Sequence, residues 1–442
     1  MYNNDMKTAE SILPTRWMRI LCILAGLYAL VTCVYLLTET GKPSSSTDFH
    51  QFWYAGHFII QGQDPYEAFF EKEVPALPVV YLDGVVVDHY PVAQPKLGLT
   101  PTNTPMIVLL LTPFSFFSWT VAKWALLVVN LILAVVTGWL VITRIPFGEI
   151  KLSRLDEIFL LLVYFDFSAT RIAIENGQTT LLVFLLMLLA LVYAERSWPI
   201  AGISLGIALS KYSLSLPMFL FLLYKRKLKV LLLAIAIQIL GILGLAIVSG
   251  NSPIKIVSEN LRMFFLLFNQ TGVNLSRWFE FISQNLFVSV IIALVMTLLV
   301  FVPIIIWLRR QRSITPEVES VIDFHVLTIL FIWTILVAYH RFYDTLILIV
   351  FVVLIFKGLA RPETWRLTDQ GRTVLLAFMA VLSLIFVLPA RIVDIFLPHF
   401  YGRVSNIVTT FFLVLMLVIS MVLLVRFLRN VRTQSTVQSG LP

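Results

Sequence analysis

Charged residues are scarce in this 442-residue chain: Asp, Glu, Lys and Arg make up 13% of it, whereas hydrophobic residues make up 59%. A water-soluble fold cannot bury so much apolar surface, so the composition excludes an ordinary soluble protein. The chain also has only two cysteines, Cys22 and Cys33, both within the first apolar run. At that spacing they form neither a local disulfide nor a metal site, and they do not indicate a redox compartment.

The sequence also lacks the local motifs of most soluble catalysts. It contains no glycine-rich phosphate loop, no paired Cys and His ligands and no G-x-S-x-G nucleophile elbow. It shows no internal repeat of about 20–50 residues. Nor do its halves contain the matched pair of interrupted helices found in many transporters. The long apolar runs and the polar residues between them therefore carry the functional information.

Apolar runs long enough to cross the ~30 Å hydrocarbon core of a bilayer recur along the whole chain. The segment 199–223 differs, because it consists of two shorter pieces joined at Ser210-Lys211-Tyr212-Ser213, which favours two short helices or a re-entrant hairpin. The sequence therefore predicts an all-α polytopic membrane protein, a bundle of about 10–12 transmembrane helices with interfacial helices. The predicted spans are 19–38, 118–142, 155–173, 179–195, 228–249, 286–308, 321–338, 343–358, 373–389 and 404–427.

Short clusters of Lys and Arg between the runs predict the orientation, because cytoplasmic loops of membrane proteins are enriched in these residues. A cytoplasmic N-terminus makes the later clusters cytoplasmic too, including Lys225–Lys229 and Arg309–Arg312. This pattern explains the net charge of +8 better than nucleic-acid binding does. We expect a multi-pass protein of the plasma or inner membrane, with no nucleic-acid partner. Residues 1–432 would form one integral-membrane domain with a polar first outer loop at about 40–104, and 433–442 a short disordered cytoplasmic tail.

Asp48 opens that polar loop, just beyond the first predicted span. The stretch 49–62 that follows is rich in aromatic residues and predicts an interfacial helix at the depth of the lipid head groups. Two interpretations of Asp48 remain open. Asp is a favoured N-cap of a following helix, and a carboxylate at this depth also suits a general base acting on an acceptor hydroxyl.

Lys211 lies in an apolar context, where a charge is costly unless it is paired or functional. A buried lysine facing a cavity suits a phosphate group as its partner. The alternative is a lysine whose ammonium group snorkels to the membrane interface.

Further polar residues fall on the predicted outer face. Arg171 and Glu175, four positions apart, either pair with each other or contribute to a site. The motif Asn176-Gly177-Gln178 is either a helix cap or a set of hydrogen-bonding partners for sugar hydroxyls. The segment 340–344 is either an interfacial anchor turn with an Arg–Asp pair or part of the same site.

The order of these motifs resembles that of glycosyltransferase family 87, membrane enzymes of the GT-C superfamily that include mannosyltransferases building phosphatidylinositol mannosides. The resemblance spans roughly residues 45–345. Its motifs are Asp48-Phe49 through Trp53, Gly62-x-Asp64-Pro65-Tyr66, Tyr90-Pro91, Asn176-Gly177-Gln178, Gly202-x-x-x-Gly206 with Lys211, Asn269-Gln270 and His340-x-x-Tyr343-Asp344.

The resemblance implies an inverting glycosyltransferase that moves a sugar, mannose or another hexose or pentose, from a polyprenyl-phosphate donor to a lipid or glycan acceptor on the outer face. By similarity, Asp48 is the catalytic base. In the mechanism that this suggests, negative charge develops on the departing phosphate, and we expect Lys211, His340 and Arg341 to bind that phosphate and stabilise the charge. No cofactor is required, although a divalent metal shared by Asp48 and Asp344 is not excluded. The expected substrate-binding residues are Trp53, Tyr66, Arg171, Asn176, Gln178, Asn269, Gln270, Tyr343 and Asp344.

Two other functional classes remain as alternatives. A polytopic transporter or flippase should carry charge pairs inside its helices along a path, whereas here the polar residues collect at one face. A lipid-linked oligosaccharide ligase or polymerase typically has its large loop late in the chain, whereas the largest predicted outer loop comes first here.

Overall fold

The computed structural model describes residues 11–42, 45–71, 80–82, 85–87, 103–145, 150–268, 288, 291–292, 295, 315–337, 340–387 and 403–439. Helices dominate these residues, which confirms the predicted all-α polytopic class. The chain forms two compact units, described separately below. Unit 1 comprises Met1–Leu30, Gly138–Ala169 and Gly272–Pro442, and unit 2 comprises Val31–Thr137 and Thr170–Thr271.

The structure describes sixteen helices, two strands and four 3₁₀ turns within the residues given above. In chain order they are α1 (Thr15–Gly41), α2 (Thr47–Ile60), α3 (Pro65–Glu71), β1 (Val80–Leu82), β2 (Val85–Val87), α4 (Pro105–Leu111), α5 (Trp119–Arg144), α6 (Arg154–Asp166), α7 (Ser168–Glu175), α8 (Thr180–Tyr193), α9 (Trp198–Ala208), α10 (Tyr212–Tyr224), α11 (Leu228–Ser249), α12 (Pro253–Phe268), α13 (Pro316–Val337), α14 (Ile349–Ala360), α15 (Asp369–Val387) and α16 (Arg403–Ser439). Short 3₁₀ turns add Thr112–Phe116, Leu209–Lys211, Phe342–Leu348 and Pro362–Trp365.

Seven helices in the described part of the chain are long and apolar enough to cross a membrane, or eight if α7 and α8, bent by 117°, form one broken span. The predicted spans 155–173 and 179–195 differ from the structure, because the helix breaks at Phe167 and turns between α7 and α8. Much of the predicted span 286–308 lies outside the described residues. The candidate spans are Thr15–Gly41, Trp119–Arg144, Trp198–Tyr224, Leu228–Ser249, Pro316–Val337, Phe342–Ala360 and Val408–Val431.

The stretch Trp198–Tyr224, counted above as one candidate span by length and composition, is made of two short helices, α9 and α10, and forms a hairpin. A straight helix of that length would extend ~40 Å, yet Glu195 and Lys227, which flank the stretch, form an ion pair. The chain therefore doubles back at the 3₁₀ turn Leu209–Lys211, which joins α9 to α10. This is one of the two arrangements predicted from the two short apolar pieces, and it puts Lys211 at the tip.

The core of unit 2 forms around α2, half of whose residues are buried. Phe49 and Phe52 are fully buried and pack with residues of α4, α5, α11 and α12. The close approach of α2 to the 3₁₀ turn before α5 needs Gly56, since a Cβ there would lie 2.0 Å from Ser115 Oγ. The predicted interfacial helix 49–62 thus corresponds to α2, fixed to the rest of unit 2 by its apolar side chains.

The C-terminal helix corrects one prediction. Helix α16 continues to Ser439, through most of the segment 433–442 that the sequence predicts to be a disordered tail. No glycine or proline interrupts residues 403–439, and the next residue is Gly440. Without such a helix breaker, a polar sequence can extend a helix that the preceding apolar residues have already nucleated.

Candidate active site

The turn between α7 and α8 closes the N-terminus of α2 in unit 2. The first backbone N–H groups of a helix have no partner within it and usually need a capping side chain. Here the N-cap residue Ser46 makes no side-chain capping bond. Instead, the carbonyl oxygen of Asn176 accepts from the N–H groups of Asp48 at 3.1 Å and of Phe49 at 3.2 Å, and the carbonyl of Glu175 accepts from Ser46 at 3.2 Å.

The capping hypothesis for Asp48 is therefore wrong. Its carboxylate lies in the first turn of α2, and its Oδ2 accepts a hydrogen bond from the side-chain Nε2 of Gln178. Gln178 is itself buried, which fixes the amide against the carboxylate. A negative charge in the first turn of a helix is favoured by the helix dipole. The fold thus holds the Asp48 carboxylate in place without using it as a cap.

Gly177 allows this contact between the turn and α2. Its φ of +67° lies in the left-handed region that favours glycine. A Cβ at this position would also lie 2.6 Å from the Cβ of Phe49, closer than two carbon atoms can approach. Each residue of the Asn176-Gly177-Gln178 motif therefore has a separate role: a capping carbonyl, a close approach and a side-chain bond to Asp48.

Lys211 reaches the same turn from the tip of the α9–α10 hairpin. Its Nζ donates a hydrogen bond of 2.7 Å to Oγ1 of Thr180, a buried residue at the start of α8. Gln178, which contacts Asp48, is only two positions before Thr180. The α7–α8 turn therefore brings an acidic and a basic side chain from distant parts of the sequence to one short segment.

The helix α7 places two more predicted site residues. Arg171 is buried. The Oε1 of Glu175 accepts a hydrogen bond of 3.0 Å from the hydroxyl of Tyr35 on α1. This contact connects the end of α7 to the helix that precedes Asp48. Whether Arg171 pairs with Glu175 or contacts substrate stays a prediction.

Two of the three predicted aromatic ligands, Trp53 and Tyr66, take part in packing. The Trp53 indole Nε1 donates to the carbonyl of Phe117 at 3.0 Å, and its ring centroid lies 5.5 Å from that of Trp119. Tyr66 is fully buried, and its hydroxyl donates to the carbonyl of Asn103 at 2.8 Å. Burial raises the pKa of Tyr66 well above its ordinary value. These contacts fix the fold of the polar loop around Tyr66, and a substrate-binding role for either residue stays a prediction.

Asp64, in the Gly62-x-Asp64-Pro65-Tyr66 motif, has a structural role. Its Oδ1 accepts from the backbone N–H of Tyr66 at 2.9 Å, as an N-cap of α3 would. Its Oδ2 accepts from the side-chain amide of Asn251 at 3.2 Å, and that amide also donates to Glu67 at 2.7 Å. The ammonium group of Lys255 lies 2.8 Å from the other oxygen of Glu67. This network joins α3 to the junction between α11 and α12.

His50, two residues after Asp48, is a neutral aromatic residue of the same helix. Burial, and secondarily the nearby His57, lowers the pKa of His50 from 6.5 to about 4. Its ring lies edge-on to Trp119 with centroids 4.9 Å apart. Histidine with so low a pKa adds no positive charge beside Asp48 near neutral pH.

Unit 1 contains the second predicted cluster. The Nδ1 of His340 lies 3.1 Å from Oδ2 of Asp344, and both side chains are buried. The Nε2 of His340 is buried and meets no hydrogen-bond partner among the described residues. Arg341 is exposed, whereas Tyr343 is buried. The carboxylate of Asp344 thus contacts His340, a pairing that the proposed Arg–Asp anchor turn did not include.

Two expected site residues lie outside the described part of the chain, and two residues that contact the hairpin were not expected from the sequence. Asn269 and Gln270 lie outside the described residues. Thr180 and Gln238, which contact the hairpin, were not predicted. Gln238 carried a usable signal, since it is the one polar residue between Lys229 and Ser249 in an otherwise apolar helix.

No group of three or more His, Cys, Asp or Glu side chains suited to a metal ion occurs among the residues that the structure describes. Metal dependence therefore stays an open prediction.

Comparison with known proteins gives one match. The model of glycosyltransferase family 87 matches residues 102–338, more than half of the chain. The match includes the α7–α8 turn and Lys211, and it ends before His340 and begins after Asp48. No curated protein and no solved structure matches the chain.

Proposed function

Because this chain belongs to glycosyltransferase family 87, we propose that it is an inverting enzyme that transfers a sugar from a polyprenyl-phosphate donor to a lipid or glycan acceptor. Family membership makes it a membrane glycosyltransferase. The donor class, the outcome at the anomeric carbon and the acceptor class belong to the proposal. The sugar would be mannose or another hexose or pentose.

One observation carries the proposal. The α7–α8 turn contacts the Asp48 carboxylate through Gln178 and the Lys211 ammonium group through Thr180. A glycosyl transfer to a hydroxyl with a phosphate leaving group needs both a base and a nearby cation. A conduit for ions or lipids has no such requirement.

Asp48 would act as the general base. Its carboxylate would accept the proton of the acceptor hydroxyl while the hydroxyl oxygen forms a bond to the anomeric carbon. The bond from that carbon to the phosphate oxygen breaks in the same displacement, and attack opposite the leaving group inverts the configuration. Gln178 would keep the carboxylate oriented, since its amide occupies one of the two oxygens.

Lys211 would stabilise the polyprenyl phosphate as negative charge develops on it. A cation already fixed at the site needs no reorganisation when the charge appears, so it lowers the barrier. The hydroxyl of Thr180 keeps the ammonium group at the turn in the absence of donor. In this step the ammonium group would supply the positive charge.

The remaining assignments come from the sequence. His340 and Arg341 are proposed further ligands of the donor phosphate, and the buried Nε2 of His340, which meets no hydrogen-bond partner within the described ranges, suits a polar ligand. The other proposed substrate contacts are Trp53, Tyr66, Arg171, Asn176, Gln178, Asn269, Gln270, Tyr343 and Asp344.

We further propose that the enzyme acts at the outer face of the plasma or inner membrane. The basic cluster Lys225–Lys229 lies at the base of the α9–α10 hairpin, and Lys211 lies at its tip. Because basic clusters favour the cytoplasm, the tip and Asp48 would be on the opposite side.

Cysteine labelling tests this orientation. In a Cys22→Ser/Cys33→Ser background, Thr47→Cys should react with a membrane-impermeant maleimide on intact cells. Lys227→Cys should react only after the membrane is permeabilised. The reverse pattern would show that the site faces the cytoplasm.

The reaction itself is tested by incubating membranes that contain the protein with a panel of radiolabelled polyprenyl-phosphate sugars. One donor should be consumed and its label should appear in an extracted lipid or glycan product. Membranes with Asp48→Asn serve as the control. Transfer from nucleotide sugars alone would contradict the proposed donor class.

A further inference from the structure

Gln238 contacts the hairpin that carries Lys211. It is a half-buried polar residue of α11, whose neighbouring residues are apolar. Its Nε2 donates to the carbonyl of Gly206 at 2.5 Å and lies 3.4 Å from Oγ of Ser210. Its Oε1 accepts a hydrogen bond of 2.7 Å from the hydroxyl of Thr104. Both ends of the amide are therefore used, and a polar group within an apolar helix is satisfied.

These bonds satisfy a carbonyl group near the C-terminal end of α9. The last carbonyl groups of a helix lack partners within it, and α9 ends two residues after Gly206. Gln238 satisfies that carbonyl from the side. A second link comes from Thr104, whose backbone N–H donates to the carbonyl of Ser210 at 3.2 Å. Ser210 directly precedes Lys211, so the backbone is fixed immediately before the lysine.

The register of α9 against α11 is also fixed. A Cβ on Gly202 would lie 2.8 Å from Leu233, and one on Gly206 would lie 2.6 Å from Ile237. Two glycines four positions apart thus let the helices approach closely. With the helices in this register, the amide of Gln238 lies beside the hairpin tip.

We propose that Gln238 is a positioning residue that acts through Lys211: it holds the tip of the α9–α10 hairpin so that the ammonium group stays at the α7–α8 turn. This inference rests on the proposed role of Lys211 in binding the donor phosphate. Gln238 itself contacts backbone and hydroxyl groups of the protein.

The test replaces Gln238 by Met, which is similar in length but forms neither hydrogen bond. The affinity for undecaprenyl monophosphate in detergent micelles should fall about fivefold, the effect of losing about one neutral hydrogen bond. Once a donor is identified, its KM should rise by a similar factor while the KM for the acceptor stays unchanged. An unaltered affinity for undecaprenyl monophosphate would overturn the inference.

A double-mutant cycle with Lys211→Met separates positioning from general stability. If Gln238 acts through Lys211, adding Gln238→Met to Lys211→Met should not weaken binding further. If the fold-losses of affinity of the two single variants simply multiply in the double variant, the inference is contradicted. Val230→Ala is the matched control, because it truncates a buried side chain of α11 about two turns away from Gln238 without touching these hydrogen bonds. It should lower the unfolding temperature and leave the affinity of the folded protein unchanged.

Thr104→Val is a milder variant for the case in which Gln238→Met does not fold. It removes one hydrogen bond to Gln238 but keeps the backbone link to Ser210, and it should weaken binding about twofold to threefold. An affinity of Thr104→Val equal to that of the wild type would count against the inference.

The double-mutant cycle of Gln238→Met and Lys211→Met also separates two kinds of failure. If Lys211→Met binds as well as the wild type, the proposed role of Lys211 is wrong. If only Lys211→Met weakens binding, the positioning role of Gln238 is wrong.

Discussion

Asp48 and Asp64 are two aspartates of the same polar loop, each at the start of a helix, yet the fold uses them differently. Asp64 is almost completely buried, and its two oxygens accept from the backbone of Tyr66 and the side chain of Asn251. The N-terminus of α2 is capped by the carbonyls of Glu175 and Asn176, and Asp48 accepts from the amide of Gln178.

The difference shows that an aspartate in the first turn of a helix need not cap it. A capping oxygen is committed to a backbone N–H, and removing it costs stability. At α2, carbonyls from a distant turn take over the capping, so the Asp48 carboxylate is not needed for the helix to form. Local sequence cannot reveal this substitution, because both aspartates precede a stretch rich in aromatic residues, where Asp is a favoured N-cap.

The largest expected effect is on turnover, and it should differ between substitutions of these two aspartates. Asp48→Asn should lower turnover by about 10²–10⁴, because an amide keeps the shape but cannot accept the proton. Turnover by the purified, folded protein measures this effect. Asp64→Ala is the matched variant: it should cost about 1–2 kcal/mol of stability and leave the turnover per folded molecule largely unchanged. Near-normal turnover by Asp48→Asn would require another base.

The next effect concerns the cation at the turn. Lys211→Met should weaken donor binding by about one to two orders of magnitude, since a charge-assisted contact to phosphate is worth roughly 1.5–3 kcal/mol. Lys211→Arg should restore part of the affinity, because the planar guanidinium group must approach the phosphate differently. Binding of a non-hydrolysable polyprenyl-phosphonate analogue measures both. Equal affinity of all three proteins would favour the snorkelling lysine.

Substitutions of two glycines test the contact between the α7–α8 turn and the N-terminus of α2. Gly177 and Gly250 both have positive φ, at +67° and +70°. Gly177 lies against the side chain of Phe49, whereas no atom of the described residues lies within 4 Å of the Cβ position of Gly250. Gly250→Ala should cost about 1 kcal/mol for its backbone conformation alone. Gly177→Ala should cost about 1–2 kcal/mol more, through the clash with Phe49, and should also lower turnover. Thermal unfolding in detergent compares the two, and equal costs would show that the contact with α2 is dispensable.

The smallest effect is the pH dependence of stability from His50. Its pKa falls from 6.5 to about 4 in the folded protein, so folding favours the neutral ring. The stability this provides is present above pH 6.5 and is lost as the pH falls toward 4. Between pH 7 and pH 6 the loss should be below about 1 kcal/mol. Unfolding temperatures of the wild type and His50→Phe should diverge over this range, and identical pH profiles would contradict the assignment.

The sequence alone determined the class of the protein and its main landmarks. Membrane spans are predictable because burial in lipid needs long apolar runs, whatever the tertiary contacts. The spans at 118–142 and 228–249 correspond closely to α5 and α11. The hairpin around Lys211 followed from the same reasoning, since two short apolar pieces cannot each cross a bilayer. The motifs also pointed to the family that the comparison established.

Only the tertiary structure decided which polar groups meet and what each one does. Asp48, Gln178 and Lys211 are far apart in the chain, and no local pattern shows that one turn contacts both charged residues. Gln238 became informative only when its partners on the hairpin were known. The physical reason is that apolar burial depends on composition along the chain, whereas a hydrogen bond depends on distance and direction between groups that the fold brings together.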